Sequence, residues 1–167
     1  MHMIPPKNSQ VITANITWSR KKEYEDVINN GCQHDSTANF YLITAQWGGG
    51  NEKIIYLGKT YKQTVLARLN SRDHKERYES ICGCKKNHKK YVRFGTLKIE
   101  NGNNTATRVD EIEWMLIFSH YCGTMINKSK IKKIDISNNY IIKNNISSVL
   151  ISEIHYGIFI KKRQTRK

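Results

Sequence analysis

The apolar positions of the chain form short runs that have the composition of β-strands. Residues 40–45 and 53–57 are rich in β-branched and aromatic side chains, and a Gly-rich sequence at 48–51 separates them. This arrangement is typical of a hairpin. Residues 91–100 alternate between apolar and polar side chains, which predicts a third strand.

Three other segments carry apolar residues at helical spacing. The first is 19–30, with Ser19 as its cap, and the second begins near residue 63 or 64. The third begins after a capping Thr107 and ends at His120. These segments predict helices that pack on the sheet.

The two ends of the chain are predicted to be extensions of this core. Residues 1–16 are expected to form an arm, because Pro5 and Pro6 block regular structure at its start. Residues 128–167 form a C-terminal extension. Its part at 140–160 is rich in β-branched residues and predicts one or two strands or a helix–strand pair.

The predicted elements follow the order α, β, β, α, β, α and then a β-rich tail. This order indicates one α/β domain of the layered α+β type, in which helices flank a sheet. A chain of 167 residues suits a single core. We expect one domain over 1–167, with its core at about 39–127 and an N-terminal arm and helix over 1–38.

The charge of the chain is strongly positive. It has 28 Lys and Arg residues against 14 Asp and Glu residues, which gives a formal net charge of +14. This excess predicts a polyanionic partner, and nucleic acid is the commonest one. The most basic segment is an insertion at about 75–93, where Lys85, Lys86, Lys89 and Lys90 are expected to contact phosphates.

The sequence does not predict a membrane or zinc protein. No apolar run approaches the roughly 20 residues that span a bilayer, and the first ten residues lack the apolar core of a signal peptide. We expect a cytoplasmic protein whose four cysteines stay reduced. Cys82 and Cys84 have the wrong spacing for a zinc finger, so zinc is not expected.

Three polar side chains are candidates for one site. Tyr41 and Tyr56 lie on the two strands of the predicted hairpin, and Arg68 lies on the helix that follows it. A Tyr on a strand is usually a packing residue. Phosphodiester hydrolysis, however, needs a positioned water and a cation at the phosphate. Tyr can orient or deprotonate the water when a nearby cation lowers its pKa, and Arg matches phosphate oxygens.

Glu113 is the candidate metal ligand. Its neighbours on the predicted helix, Val109, Leu116 and Ile117, are apolar, and an acid in an apolar stripe needs a partner or a metal. The alternative is a carboxylate at the edge of the stripe that reaches solvent. Glu111, in contrast, has Arg108 within reach as an ordinary partner.

These residues resemble the motifs of the GIY-YIG nuclease family. Two tripeptides stand for its name-giving motifs, and a helical Arg-Leu, a helical Glu and a downstream Asn follow in the family's order. The matching positions are Asn39-Phe40-Tyr41, Tyr56-Leu57-Gly58 with Lys59-Thr60, Arg68-Leu69, Glu113 and Asn127. They cover roughly residues 39 to 127.

The resemblance implies a central three-stranded antiparallel sheet flanked by helices, and hydrolysis of DNA with one Mg²⁺ or Mn²⁺ per active site. Tyr41 would help to deprotonate the attacking water, and Tyr56 would orient it or bind phosphate. Arg68 would stabilise the transition state, and Glu113 would hold the metal. Asn127 would hold the site together or position the phosphate, and Lys59 is a further phosphate contact.

The chain departs from the family pattern in three places. Asn39 replaces a glycine, and the gap between the two Tyr is longer than in compact members. The family also places a His or Tyr one turn after the Arg, where this chain has Arg72, with His74 two residues further on. Six helical residues rotate about 600°, so His74 would face away from Arg68 unless the helix ends near 70–71 and the chain turns back. We favour His74 for this position, because Arg does not exchange protons at neutral pH. The alternative is that Arg72 fills it, and Arg72 is in either case a candidate for a phosphate or DNA contact.

The small size of the chain favours one class of nuclease within the family. A domain with basic insertions but no obvious separate DNA-binding module fits a type II restriction endonuclease that cuts double-stranded DNA. Cutting both strands would favour a homodimer or a transient dimer on DNA. The alternatives are a structure-specific or homing-like nicking endonuclease and a non-catalytic nucleic-acid-binding module.

Overall fold

A computed structural model describes residues 10–31, 35–71, 74, 81, 83, 86–132, 134 and 136–157. Its strands are Val11–Trp18 (β1), Lys22–Glu23 (β2), Phe40–Gln46 (β3), Lys53–Lys59 (β4), Lys89–Ile99 (β5), Asn139–Asn144 (β6) and Glu153–Tyr156 (β7). Its α-helices are Tyr24–Asn30 (α1), Val65–Leu69 (α2) and Ala106–His120 (α3), and Asp35–Thr37 forms a turn of 3-10 helix. Much of the basic segment, including Lys85, and also Arg72, Cys82 and Cys84, lies outside the described residues.

One mixed sheet organises the described part of the chain, which confirms the mixed α and β class. Its strands follow the order β4-β3-β5-β1-β6-β7, and β2 pairs with the start of β5. The neighbours β4, β3 and β5 are antiparallel, as predicted. The predicted limit of three strands is wrong, because β1 pairs with the free side of β5 and β6 and β7 extend the sheet further.

The predicted N-terminal arm is wrong where it covers β1. Ile12, Ala14, Ile16 and Trp18 are all buried, and this period of two is that of a strand with one face on the core. β1 runs parallel to β6 and antiparallel to β5. Pairing on both edges makes β1 an internal strand of the sheet.

Two predicted helix starts also change. Ser19 is not a helix cap: its N–H donates to the Phe94 carbonyl at 2.8 Å and its hydroxyl accepts from the Phe94 N–H at 3.0 Å. The first helix therefore begins later, at Tyr24. α3 is capped by the Thr105 side chain, which accepts from the Arg108 N–H at 3.3 Å, and not by Thr107.

The helices pack on opposite faces of the sheet and enclose two apolar clusters. On one face, Ile112 and Met115 of α3 pack with Leu42 and Leu57. On the other face, a second cluster contains residues of α1 and α2 together with Tyr41, Tyr56 and Val92. None of the helices in the described ranges is long and apolar enough to cross a membrane.

Candidate active site

The β3–β4 hairpin places the first Tyr against a glycine. Tyr41 is the cross-strand partner of Gly58, and its buried ring lies over that residue. A Cβ at Gly58 would come within 2.4 Å of the Tyr41 Cζ and 2.5 Å of its hydroxyl oxygen. The phenol of Tyr41 can occupy this position only because Gly58 has no side chain.

Tyr56 lies on the same face because it stands two residues before Gly58, and a β-bulge interrupts β4 just before it. Ile43 pairs with Tyr56 and Thr44 pairs with Ile54, so Ile55 is the extra residue. Tyr56 then packs against Tyr41, with ring centroids 5.8 Å apart and an interplanar angle of 30°. The two side chains also share a hydrogen bond.

Helix α2 carries Arg68 to this face and then stops. The Thr64 hydroxyl caps the helix by accepting from the Ala67 N–H at 3.0 Å. After Leu69 the chain turns, with the Ser71 N–H donating to the Arg68 carbonyl at 3.2 Å and the His74 N–H donating to the Ser71 carbonyl at 3.0 Å. The expectation that the chain turns back at 70–71 is confirmed.

This turn brings His74 beneath the two Tyr rings. Its imidazole is edge-on to both, with ring centroids 5.9 Å from Tyr41 and 6.0 Å from Tyr56. Its Nε2 lies 3.2 Å from the hydroxyl of Tyr24 on α1, and the residue is 1% exposed. His74 thus contacts the predicted catalytic groups from behind.

The side chain of Glu113 is largely buried and is paired with a lysine. It is buried on α3, and its Oε2 accepts from the Lys130 ammonium at 2.7 Å. Lys130 also donates to the Asp110 carboxylate at 2.6 Å, and Lys59 bonds that same carboxylate. Lys59, Asp110, Glu113 and Lys130 form what we call the carboxylate–lysine cluster.

Opposite charges hold this cluster in its ionised form. Burial raises the pKa of Asp110, but the hydrogen bonds from Lys130 and Lys59 outweigh it, so the pKa lies below its ordinary value. Burial lowers the pKa of Lys130, and the bonds to Asp110 and Glu113 outweigh that effect and raise it. Both shifts favour the charged forms of Asp110 and Lys130 at neutral pH.

The two Tyr, Arg68 and the carboxylate–lysine cluster surround one open pocket of about 420 Å³. The sheet contributes one wall and helices α2 and α3 contribute the others. The lining residues are Tyr41, Tyr56, Lys59, Tyr61, Gln63, Arg68, Asp110, Glu113, Ser129 and Lys130. The structure thus brings together four of the five residues predicted to be catalytic and places the fifth, His74, behind them.

The electrostatics of Tyr41 differ from the prediction that a cation lowers its pKa. Burial raises the pKa of Tyr41 well above its ordinary value, and the neighbouring Tyr56 raises it further. Arg68 acts in the lowering direction but does not compensate. Tyr41 is therefore a neutral hydrogen-bonding phenol at physiological pH.

Asn127 lies beside the site and belongs to its frame. Its Nδ2 donates to the Leu57 carbonyl at 2.8 Å, and its Oδ1 accepts from the Leu57 N–H at 3.1 Å. The Ile126 N–H donates to the Ile55 carbonyl at 2.9 Å in the same way. The segment covers the free edge of β4, which favours the first of the two roles expected for Asn127, holding the site together.

Glu111 faces away from the pocket and holds the C-terminal extension. Its carboxylate accepts from the Ser137 N–H at 2.6 Å, the Asn138 amide at 2.9 Å and the Tyr140 hydroxyl at 2.6 Å. The expected pairing with Arg108 is wrong, since the Arg108 guanidinium donates to the Asn103 carbonyl at 2.8 Å. The assignment of Glu113 rather than Glu111 to the site agrees with the structure.

The predicted phosphate-binding lysines of the basic segment lie apart from this pocket. Lys86, Lys89 and Lys90 line a second cavity of about 740 Å³ beside α1 and the start of β5. Lys89 pairs with Glu23 at 3.3 Å, and Lys90 donates to the His88 carbonyl at 2.8 Å. Glu23 and Glu25 line the same cavity.

Sequence reasoning missed two members of the carboxylate–lysine cluster. Asp110 lies one turn before Glu113 and faces the same way, a spacing that was visible in the sequence as an i, i+3 acid pair. Lys130 comes from a loop after α3, and no local pattern marks it. Only the folded chain places its ammonium between the two acids.

The oxygen atoms of this cluster suit the metal that the resemblance implies. Mg²⁺ and Mn²⁺ prefer carboxylate oxygens, and Mg²⁺ usually keeps several waters beside one or two carboxylates and a substrate phosphate. Asp110 and Glu113 supply two carboxylates on the wall of an open pocket. Across the described ranges there is no group of three or more His, Cys, Asp or Glu that could hold a metal, so water and substrate would complete the coordination.

Comparison of the chain with protein-family models, with curated proteins and with solved structures returned no match.

Proposed function

We propose that the chain is a metal-dependent DNA endonuclease of the GIY-YIG type. The observation that carries this proposal is the pocket in which Tyr41, Tyr56, Arg68 and Glu113 converge from β3, β4, α2 and α3. The same four residues stand at the positions of the sequence that resemble the family's motifs. A net charge of +14 supports a polyanionic substrate.

Each polar side chain of the pocket has its own role in the proposed hydrolysis. The Arg68 guanidinium binds two oxygens of the scissile phosphate and stabilises the charge that develops there. The phenols of Tyr41 and Tyr56 orient the attacking water, and the neutral Tyr41 hydroxyl acts as a hydrogen-bonding group and not as a base. Glu113 and Asp110 would hold a divalent metal, which when bound would supply Lewis-acid stabilisation of the leaving oxygen.

Within this class we propose a sequence-specific type II restriction endonuclease acting on double-stranded DNA. One domain must then both recognise and cut. The basic wall formed by Lys86, Lys89 and Lys90 is separate from the pocket and supplies phosphate contacts beyond the cleaved bond. Cleavage of both strands favours two pockets, which a homodimer or a transient dimer on DNA would provide.

The test is cleavage of supercoiled plasmid DNA with Mg²⁺ by the full chain and by Glu113→Gln. The substitution keeps the shape of the side chain and removes the charge that attracts the metal. Glu100→Gln is the matched control, because Glu100 is an exposed carboxylate that does not line the pocket. We expect cleavage by wild type and by Glu100→Gln, and a loss of about a hundred- to a thousandfold in Glu113→Gln.

The products separate the classes of nuclease. Discrete linear fragments of constant size indicate a restriction enzyme, whereas nicked circles alone indicate a nicking endonuclease. DNA binding without Mg²⁺-dependent cleavage in wild type would overturn the enzymatic proposal and leave a nucleic-acid-binding module.

A further inference from the structure

The carboxylate–lysine cluster is electrically balanced before any ligand arrives. Asp110 and Glu113 supply two negative charges, and Lys59 and Lys130 supply two positive ones. A site that binds only a divalent cation would be expected to carry a net negative charge before the cation binds. The balance means that a metal bound in this pocket must compete with a cation that the chain itself provides.

Lys130 is the competing cation, and its placement is specific. A lysine ammonium has three donors, and three oxygen atoms surround this one. They are the Asp110 carboxylate at 2.6 Å, the Glu113 carboxylate at 2.7 Å and the Asp110 carbonyl at 3.3 Å. The side chain of Lys130 is 18% exposed, so water screens these bonds only partly.

We propose that Lys130 is an internal counter-cation that a divalent metal must displace from Glu113, so that metal binds well only when a DNA phosphate takes over Lys130. This inference rests on the proposed function, because it concerns the same pocket. It assigns Lys130 as a positioning residue that couples metal binding to substrate binding.

The charges of the pocket explain why a phosphate is needed for the metal to displace Lys130 from Glu113. Metal alone would leave the cluster with an excess of positive charge and an ammonium without its carboxylates, which is costly in a partly buried site. A phosphodiester in the same pocket, beside Arg68, offers Lys130 new acceptors and removes part of the excess charge. Metal and DNA therefore favour each other, and by linkage the effect is reciprocal.

The first measurement is Mn²⁺ binding to the full chain without DNA, followed by the loss of the electron paramagnetic resonance signal of free Mn²⁺. We expect weak binding in wild type and binding tighter by on the order of tenfold in Lys130→Met, a typical size for such coupling. Lys128→Met is the matched control, since Lys128 is an exposed lysine two residues away that does not line the pocket. It should bind Mn²⁺ as wild type does.

The double variant Glu113→Gln/Lys130→Met locates the metal. Loss of the tighter binding in the double variant places the ion at Glu113, and retention of it would overturn the inference. Thermal unfolding confirms that each variant is folded. Lys130→Gln, which keeps a polar side chain, replaces Lys130→Met if the latter fails to fold, and equal Mn²⁺ affinity in wild type and either folded variant would also overturn the inference.

The second measurement tests the role of phosphate. Binding of a labelled mixed-sequence DNA duplex is followed by fluorescence anisotropy with and without Ca²⁺. Like Mg²⁺, Ca²⁺ is a divalent cation that prefers oxygen ligands. We expect Ca²⁺ to raise DNA affinity more in wild type than in Lys130→Met, and an equal effect in both would refute the coupling. Neither readout requires cleavage, so the inference can hold for a chain that binds metal and DNA but does not cut.

Discussion

Tyr41 occupies the space that a side chain at position 58 would fill. The two residues are partners across the β3–β4 pair, and the Tyr41 Cζ would lie 2.4 Å from a Cβ on Gly58. Real Cβ atoms do not approach other heavy atoms this closely. The glycine that follows Tyr56-Leu57 is thus required by the phenol on the neighbouring strand, and its backbone conformation is ordinary for a strand.

Gly58→Ala is therefore expected to displace Tyr41 and disturb the pocket. The added methyl group should destabilise the fold by about 1–3 kcal/mol, as overpacking does, and reduce cleavage more strongly than stability predicts. The measurements are urea unfolding and plasmid cleavage at a temperature where the variant is folded. Gly49→Ala is the control, because a Cβ there meets nothing within 4 Å. Equal activity in the two variants would show that Tyr41 need not be held in place.

The pH dependence of cleavage tests the role of Tyr41. Burial and Tyr56 raise the pKa of Tyr41, so its hydroxyl stays protonated across the neutral range. Tyr41→Phe should then lower the rate by a similar factor at every pH between about 6 and 9, because it removes a hydrogen-bonding group and not a titrating base. A pH–rate profile of both proteins is the measurement. A variant profile that loses a limb present in wild type would identify Tyr41 as the base.

His74 is expected to act through the Tyr pair that it supports. Tyr24→Phe removes only the hydroxyl that lies 3.2 Å from the His74 Nε2, and one hydrogen bond is worth about 1 kcal/mol. We expect a decrease of several-fold in the single-turnover rate and little change in DNA affinity. His74→Ala also removes the ring beneath Tyr41 and Tyr56 and should decrease both the rate and the stability. An unchanged rate in Tyr24→Phe would mean that this contact does not orient the imidazole for catalysis.

Local patterns predicted the elements whose residues carry their own signal. The hairpin strands at 40–45 and 53–57 differ from β3 and β4 by one or two residues at their ends, because β-branched residues and a Gly-rich turn define both. The described part of the C-terminal extension contains two strands, β6 and β7. This agrees with the expectation of one or two strands and not with the alternative of a helix–strand pair. The selection of Glu113 over Glu111 also followed from its helical neighbours.

Features that depend on residues far away in the sequence were not predicted. The alternation in β1 was visible, but its place between β5 and β6 depends on pairing with residues near 95–99 and 139–144. The bulge at Ile55 lets Ile55 and Tyr56 both face the cluster that contains Tyr41, whereas Ile54 faces the cluster that contains α3. No local sequence pattern around Lys130 predicts its contact with Glu113. Each of these is set by tertiary packing, which no local period encodes.

Asn127 is expected to matter for stability more than for phosphate binding. Asn127→Ala leaves the buried N–H and carbonyl of Leu57 without their partners, at a cost of about 2–4 kcal/mol for the two groups. Asn127→Asp keeps the acceptor but places an anionic oxygen against the Leu57 carbonyl in a buried site, so a loss at least as large is expected. Urea unfolding measures both. The salt dependence of DNA binding should keep the wild-type slope in each folded variant, and a slope reduced by about one would instead assign a phosphate contact to Asn127.

Glu52 provides a test of stability against pH that is independent of the proposed site. Its carboxylate accepts two bonds from the Arg93 guanidinium at 2.6 and 2.9 Å and one from the Thr44 hydroxyl at 2.8 Å. The Arg93 hydrogen bonds outweigh burial and lower the pKa of Glu52 from 4.5 to about 2. The side chain is 10% exposed, so solvent screens the pair weakly.

A depressed pKa stabilises the fold only while the group is ionised in the native state. The contribution of Glu52, on the order of 3 kcal/mol, is therefore complete above pH 4.5 and decreases as the pH falls toward 2. Urea unfolding of wild type and Glu52→Gln between about pH 3 and 7 should show a difference that is constant near neutrality and shrinks below pH 4.5. Glu25→Gln, at an exposed position of α1, should show almost no difference at any pH. A difference between wild type and Glu52→Gln that persists unchanged at pH 3 would mean that the bidentate pair with Arg93 contributes through packing and not through charge.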